Sequence, residues 1–458
     1  MNVTLSVFFK PRSWLLAGLV MAFSGCAVVD PKPDYMRTAS KVERATRQGD
    51  LYRSIEDPEG SIQRIEALLE GGITADDAAE ICLLNNPKLR QFSLDVGLAH
   101  ADFVQSKLLS NPTLSGLIRF PVAGGNSNIE AGLVQNLIEL WQIPVRRRLA
   151  AKTLEQTVLQ IAYEAATTVA ETKMAYYKAI AAKETTIIEK ENVTTSKTVL
   201  DLVKAQQQSG SANQVDSNTA HSDLLEQKVT LRTAQLNFFE AKRKLIILLG
   251  LRSSPDDIQL IDSLTLANQL SLELSELITA AKENRLDLQA AYERVLAAEQ
   301  AIPLEQRRIL RNTRAGISFE REDNATAIGP SVQLQLPVFD QNQAQISKSK
   351  IRYIQALQRL EALTIEVIQQ VRGVHQSFVA ANDIVQSYEK QILPLAQDSL
   401  QLAQESFQAG KTGILLVLTA QRRLLTARRE YIQKLQELKL NTINIEASIG
   451  LPMADLLE

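Results

Sequence analysis

Cysteine and histidine are scarce in this chain, with two and three residues respectively among 458. That excludes a disulfide framework and leaves little material for a metal cluster built from those ligands. Charge of one sign is missing too. Fifty Lys and Arg stand against 52 Asp and Glu, a net charge of −2, so nucleic acid would meet no strongly basic face. Aromatic residues make up only 5 %. Beyond the N-terminal segment no run of 18 apolar residues occurs, so no transmembrane helix is expected there. Any second entry into a bilayer would have to be a closed β-barrel. What is present is a hydrophobic fraction of 45 %, enough for a large core or interface. The chain is dominated by Ala, Leu, Gln, Glu, Lys and Arg, the residues of long helices.

The N-terminus reads as an address. Lys10 and Arg12 precede a short apolar run from Trp14 to Phe23, too short to span a bilayer but suited to a signal peptide. Phe23-Ser24-Gly25-Cys26 resembles a bacterial lipobox, with Phe23 where Leu is usual. The resemblance implies that residues 1–25 are removed and that Cys26 is lipidated. Ala27, in place of Asp, favours the outer membrane. The competing reading is an ordinary signal peptide with an incidental cysteine. After lipidation Cys82 would be the only free thiol. Residues 26–72, with Pro31, Pro33, Pro58 and Gly71-Gly72, read as a lipidated linker holding a short helix.

Laid over itself at an offset of 200, the chain repeats. Gln208 falls on Gln408, Gly210 on Gly410, Leu224-Leu225 on Leu424-Leu425, and Gly250-Leu251 on Gly450-Leu451. Two copies, 73–251 and 273–451, are therefore expected, joined by 252–272 and followed by a tail, 452–458. Each copy divides alike: a helix (74–109, 273–309), a hairpin (about 113–140, 314–339), a very long helix (145–209, 342–409) broken at a glycine, and a return helix ending at Gly250 or Gly450. Tyr353, Leu357, Leu360, Thr364, Val367, Val371, Val374, Phe378, Ala381 and Val385 step by alternating four and three, the spacing of a coiled-coil seam. The fold class expected is mainly α, with duplicated long-helix coiled-coil hairpins and four strands per chain.

The strands alternate. Ile317 and Phe319 alternate with Ser318, Glu320 and Glu322; Val332, Leu334, Leu336 and Val338 alternate with Gln333 and Gln335. Turns are expected at 323–326 and at Gly329-Pro330. One apolar and one polar face suit a membrane strand over a wet lumen, and equally a soluble sheet with one buried face. Helices far too long for a compact domain, in a chain addressed to the outer membrane, favour the first. Ser318, Glu320, Glu322, Gln333 and Gln335 would then face a lumen. Four strands cannot close a barrel and open edges are not tolerated in lipid, so several chains must assemble. Arg146, Arg147 and Arg148, expected to open the first long helix, sit where cations oppose the helix dipole. Phospholipid headgroups, or a plain solvated turn, would account for them.

Several stretches resemble the TolC-like outer membrane efflux family. They are Leu393-Pro394-x-Ala396, Phe407-Gln408-Ala409-Gly410, Leu418-x-Ala420-Gln421-Arg422, Tyr431 and Ile449-Gly450, together with Asn85-Asn86-Pro87-Lys88-Leu89 and Gln335-Leu336-Pro337-Val338-Phe339. The resemblance implies a homotrimer with a 12-strand outer-membrane barrel and an α-helical periplasmic tunnel. It implies a passive exit duct, without cofactor, that docks on a periplasmic adaptor protein and an inner-membrane transporter. Gly210 and Gly410 would form the periplasmic tips. Asp216, six residues after the first tip, would hold a selectivity position; Leu416 holds its counterpart and would act as a hydrophobic gate. Asp216 reads equally as a helix-start residue. No phosphate loop, zinc-protease motif or nucleophile elbow is present, and no enzymatic activity is expected. The rival is a lipid-anchored coiled-coil scaffold without a pore.

Overall fold

The computed structural model describes residues 28–122, 126–210, 212–264, 273–310, 313–322 and 325–456. Cys26 and the turn residues 123–125 and 323–324 lie outside this set. The segment 28–72 is more structured than a linker: it forms α1 (Lys32–Thr46), the single turn α2 (Arg53–Glu56) and α3 (Pro58–Leu69). Tyr35 and Tyr52 stack there with ring centroids 4.4 Å apart, and the Tyr52 hydroxyl donates to the Ser93 carbonyl.

Each expected first helix is two helices. α4 (Ala75–Asn85) starts on a capping box between Thr74 and Asp77, then breaks before α5 (Pro87–Lys107). Pro87 restricts the residue before it, and Asn86 adopts an extended conformation whose side chain caps α5. In the second copy α8 (Leu274–Asn284) breaks before α9 (Leu286–Arg307) without a proline. There Arg285, 5 % exposed, holds the elbow by pairing with Asp287 at 2.7 Å and donating to Gln370 at 2.8 Å.

These elbows pack on the ends of the return helices. α7 (Gln214–Leu249) and α12 (Ile414–Ile449) both stop at a left-handed glycine. A Cβ at Gly250 would lie 2.6 Å from the Asn85 carbonyl oxygen, and one at Gly450 would lie 3.0 Å from that of Asn284. The glycines thus serve close approach as well as helix termination. The linker packs here too: the Ile73 amide donates to Gln259 at 2.9 Å, and the buried Tyr176 hydroxyl donates to the Ile73 carbonyl at 2.8 Å.

The first long helix, α6 (Ile138–Gln208), starts seven residues earlier than expected and runs through Pro144. At 1.5 Å per residue its 71 residues span roughly 107 Å. The proline forgoes the bond an N–H there would have made to the Leu140 carbonyl, and the helix continues past it. Its second-copy counterpart is interrupted: α10 (Gln343–Ser387), a π-turn (Tyr388–Ile392) and α11 (Leu393–Gln408). The wider turn sits just before Pro394, where it relieves the clash of the proline ring with the carbonyl four residues back. Val367, Val371, Phe378, Ala381 and Val385 of the expected seam are buried, while Leu357 is exposed.

The four strands, β1 (Thr113–Arg119), β2 (Asn128–Asn136), β3 (Arg314–Glu322) and β4 (Ala325–Gln333), make one antiparallel sheet in that order. β2 joins the two copies through β3. Gly329-Pro330 is not a turn. Both residues lie within β4, with Pro330 opposite Ile317, and β4 is an edge strand, where a missing N–H is tolerated. Leu334, Gln335, Leu336 and Val338 fall beyond the strand.

Candidate functional site

The register sorts the sheet into two faces. Leu114, Ile118, Ile129, Ala131, Leu133, Ile317, Phe319, Ile328 and Val332 share one, with Arg321 and Thr326 at its hairpin-tip end, and Ser115, Glu130, Ser318, Glu320, Glu322, Ser331 and Gln333 share the other. On the apolar face Leu114, Ile317, Ile328 and Val332 are 60–77 % exposed, so none of the described residues covers them. Four of the five expected lumen residues, Ser318, Glu320, Glu322 and Gln333, do lie together on the polar face. Gln335 lies outside the strand.

Along the polar face the character changes. Near the hairpin tips Glu130 stands directly opposite Glu320, and Arg119 ion-pairs with Glu130. Midway come Ser115, Gly132, Ser318 and Gly329, and at the helix end Asn136, Arg314 and Gln333. Gly316 allows close strand approach: a Cβ there would fall 2.0 Å from the Leu133 carbonyl oxygen.

The arginine trio divides. It lies inside α6, so the helix-dipole argument falls away. Arg146 turns inward, where its Nε donates to the Ser106 carbonyl at 2.8 Å and its Nη2 to Leu108, closing the C-terminus of α5. Arg147 and Arg148 are exposed.

At the far ends of the long helices, Gly210 and Gly410 adopt φ of 79° and 69°, as reversal at both tips requires. Asp216 is the third residue of a capping box: its amide donates to Asn213 Oδ1 at 3.0 Å, and its carboxylate accepts the Asn213 amide at 3.1 Å. Leu416 is 48 % exposed and Leu415 71 %, whereas Ile414 and Val417 are buried. The second tip has no side-chain cap, since Gly413 stands at that position.

Behind the tips lies a polar layer that sequence reasoning missed. Glu189, 1 % exposed, receives both guanidinium contacts of Arg429, one of them at 2.9 Å. Ser196 donates to Asp223 at 2.8 Å and accepts from Gln421 at 3.1 Å. Arg422 reaches Asp223 at 3.4 Å. The layer ties α6 and α7 of the first copy to α12 of the second. The Gln421-Arg422 pair was visible in the sequence, but nothing there indicated its partners in the other copy. A buried apolar cluster including Val203, Leu224, Phe407 and Leu418 lies beyond the layer, toward the tips.

Among the described residues no His, Cys, Asp and Glu group could hold a metal ion. His100 is instead 2.6 Å from Asp34. Among the described residues no helix is long and apolar enough to cross a membrane.

A sheet with one bare apolar face set on helices of this length has the architecture of outer membrane channels. The solved structure of CusC, reported for its folding and transmembrane channel formation, superposes with a TM-score of 0.70 at 20 % identity, covering 82 % of this chain and 91 % of that one. The Vibrio cholerae outer membrane protein VceC gives 0.68 at 16 % (82 % and 96 % covered). The open state of the Neisseria gonorrhoeae MtrE outer membrane channel gives 0.67 at 17 % (82 % and 88 %). Residues 277–451, within the second copy, match the family described as outer membrane efflux protein. No curated protein matches the chain by sequence.

Proposed function

We propose that the protein is the outer-membrane exit duct of a tripartite efflux or secretion system, a passive conduit without enzymatic activity. The single observation that carries this reading is the sheet: four strands, two open edges, one exposed apolar face and one polar face, mounted on long helices of which α6 alone spans roughly 107 Å. Open edges are intolerable in lipid, so β1 of one copy pairs with β4 of the next, and three copies supply twelve strands around a wet lumen. Ser318, Glu320, Glu322 and Gln333 line that lumen, with Gln335 beneath them. The helices form the periplasmic tunnel. The turns at Gly210 and Gly410 contact the periplasmic adaptor protein, through which an inner-membrane transporter supplies cargo. Asp216 and Leu416 flank the constriction, and lipidated Cys26 adds an anchor in the outer membrane.

Planar-bilayer recording of the purified full-length protein tests this. Stepwise conductance that turns less cation-selective in Glu320→Gln/Glu322→Gln supports the duct. A protein that assembles in membranes yet never conducts would leave only a scaffold.

A further inference from the structure

Arg147 and Arg148 remain without a carboxylate partner among the described residues, and their surroundings explain why. Leu137, Leu140, Trp141, Pro144, Arg147 and Arg148 recur at spacings of three, four and seven, so they share one face at the start of α6. That face is bare: Leu137, Leu140 and Trp141 are 47–57 % exposed. It runs from apolar through tryptophan to basic within three turns. This is the order of side chains that crosses from acyl chains into headgroups. The Arg307 guanidinium lies 5.2 Å from the Trp141 ring centroid, adding a third cation.

The first described helix begins a short way below the same level. Arg146 bonds to the carbonyls of Ser106 and Leu108, which places the trio beside the end of α5. A Cβ at Gly97 would lie 3.9 Å from Pro31 Cβ, so Pro31 sits beside Gly97, roughly 15 Å lower along α5. Cys26 stands five positions before Pro31, so the chain between them can reach at most about 17 Å. α1 descends from there along the same face of α6, where Arg37 and Lys41 both pair with Glu155, seven residues past Arg148. The length of chain before Pro31 is alone enough for a lipid on Cys26 to reach the level of the arginines.

Resting on the outer-membrane reading above, we infer that this face is a docking surface for anionic phospholipid of the periplasm-facing leaflet. Arg147 and Arg148 bind the headgroups and Trp141 marks the interface. The charge fits an anionic partner, because neither exposed guanidinium has a carboxylate partner among the described residues.

The mature chain offers its own probe. Only Trp14 and Trp141 occur in the sequence, and cleavage before Cys26 removes the first. The full-length protein, processed in cells and reconstituted in phosphatidylethanolamine vesicles, is compared with equal mole fractions of dibrominated phosphatidylglycerol or dibrominated phosphatidylethanolamine. Bromines near the headgroup should quench Trp141 more than bromines deep in the chain. The anionic lipid should quench roughly threefold more than the zwitterionic one, and Arg147→Gln/Arg148→Gln should abolish that ratio while conductance persists. Equal quenching by both lipids, or none, in a conducting trimer overturns the inference and leaves the duct intact. Loss of the trimer in the arginine variant would make the face a subunit contact and also overturn it. Absent conductance in the unmodified protein would count against the duct itself.

Discussion

The two copies of the repeat share a plan and differ in how tightly each is held. The first has an unbroken α6 that packs against α1, α4, α5, α7, α9 and α12, and its tip is closed by the Asn213–Asp216 capping box. The second is broken by the π-turn at Tyr388–Ile392 and has no side-chain cap at its tip. The family match nevertheless falls on the second copy, residues 277–451. One architecture is thus reached by different local means. The first copy serves as the spine and the second is bound to it through the polar layer of Glu189, Ser196, Asp223, Gln421 and Arg429.

The largest effect that bears on this comparison is expected at the strand joining the copies. Gly316→Val would drive a side chain into the β2 backbone at Leu133 and Val134, and heat-resistant oligomers should vanish from outer-membrane fractions. Unchanged assembly would mean that β2 and β3 do not pair in this register. Next comes the polar layer. Arg429→Met strands the buried Glu189 carboxylate at a cost of about 2 kcal/mol, below the full buried-pair value because Arg429 itself is partly exposed. Replacing both partners, Glu189→Met/Arg429→Met, should recover most of that loss. Denaturant melts of the two variants check the order, and a double variant weaker than the single one would show the pair to be favourable in itself.

The tips differ by a smaller amount. Asn213→Ala removes a cap worth about 1 kcal/mol, whereas Gly413→Ala has no side-chain cap to lose. Hydrogen exchange at the start of α7 should quicken while that of α12 stays unchanged, and equal responses would contradict the asymmetry. The smallest effect concerns Cys82, which is wholly buried with its thiol pushed up to about 11 by desolvation. The thiolate fraction stays negligible from pH 6 to 9, so maleimide labelling of the folded protein should be slow throughout that range. Rapid labelling at pH 8 would mean that the α4 core opens readily.

Periodicity in the sequence carried the helices and the alternating strands, because both follow from which face meets a core. The glycines at 210, 250, 410 and 450 carried the reversals and helix ends, because only they accept positive φ cheaply. Three kinds of feature were less legible. The elbow at Arg285, which has no proline, depends on Asp287, Gln370 and the close approach of Gly450, two of them distant in sequence. Pro330 resembles a turn residue until the strand is known to be an edge. The arginine trio reads as one patch, yet the helix that begins at Ile138 turns Arg146 inward and leaves Arg147 and Arg148 outside. Each is settled by a partner far along the chain. Local residue choice cannot express that.

The central claim is that this chain's open four-stranded sheet closes into a barrel only with copies of itself. Native mass spectrometry of the full-length product extracted from outer membranes tests it most directly. The account predicts a trimer of identical chains, each beginning at an acylated Cys26. A monomer or dimer that stays soluble once its lipid is removed would contradict it.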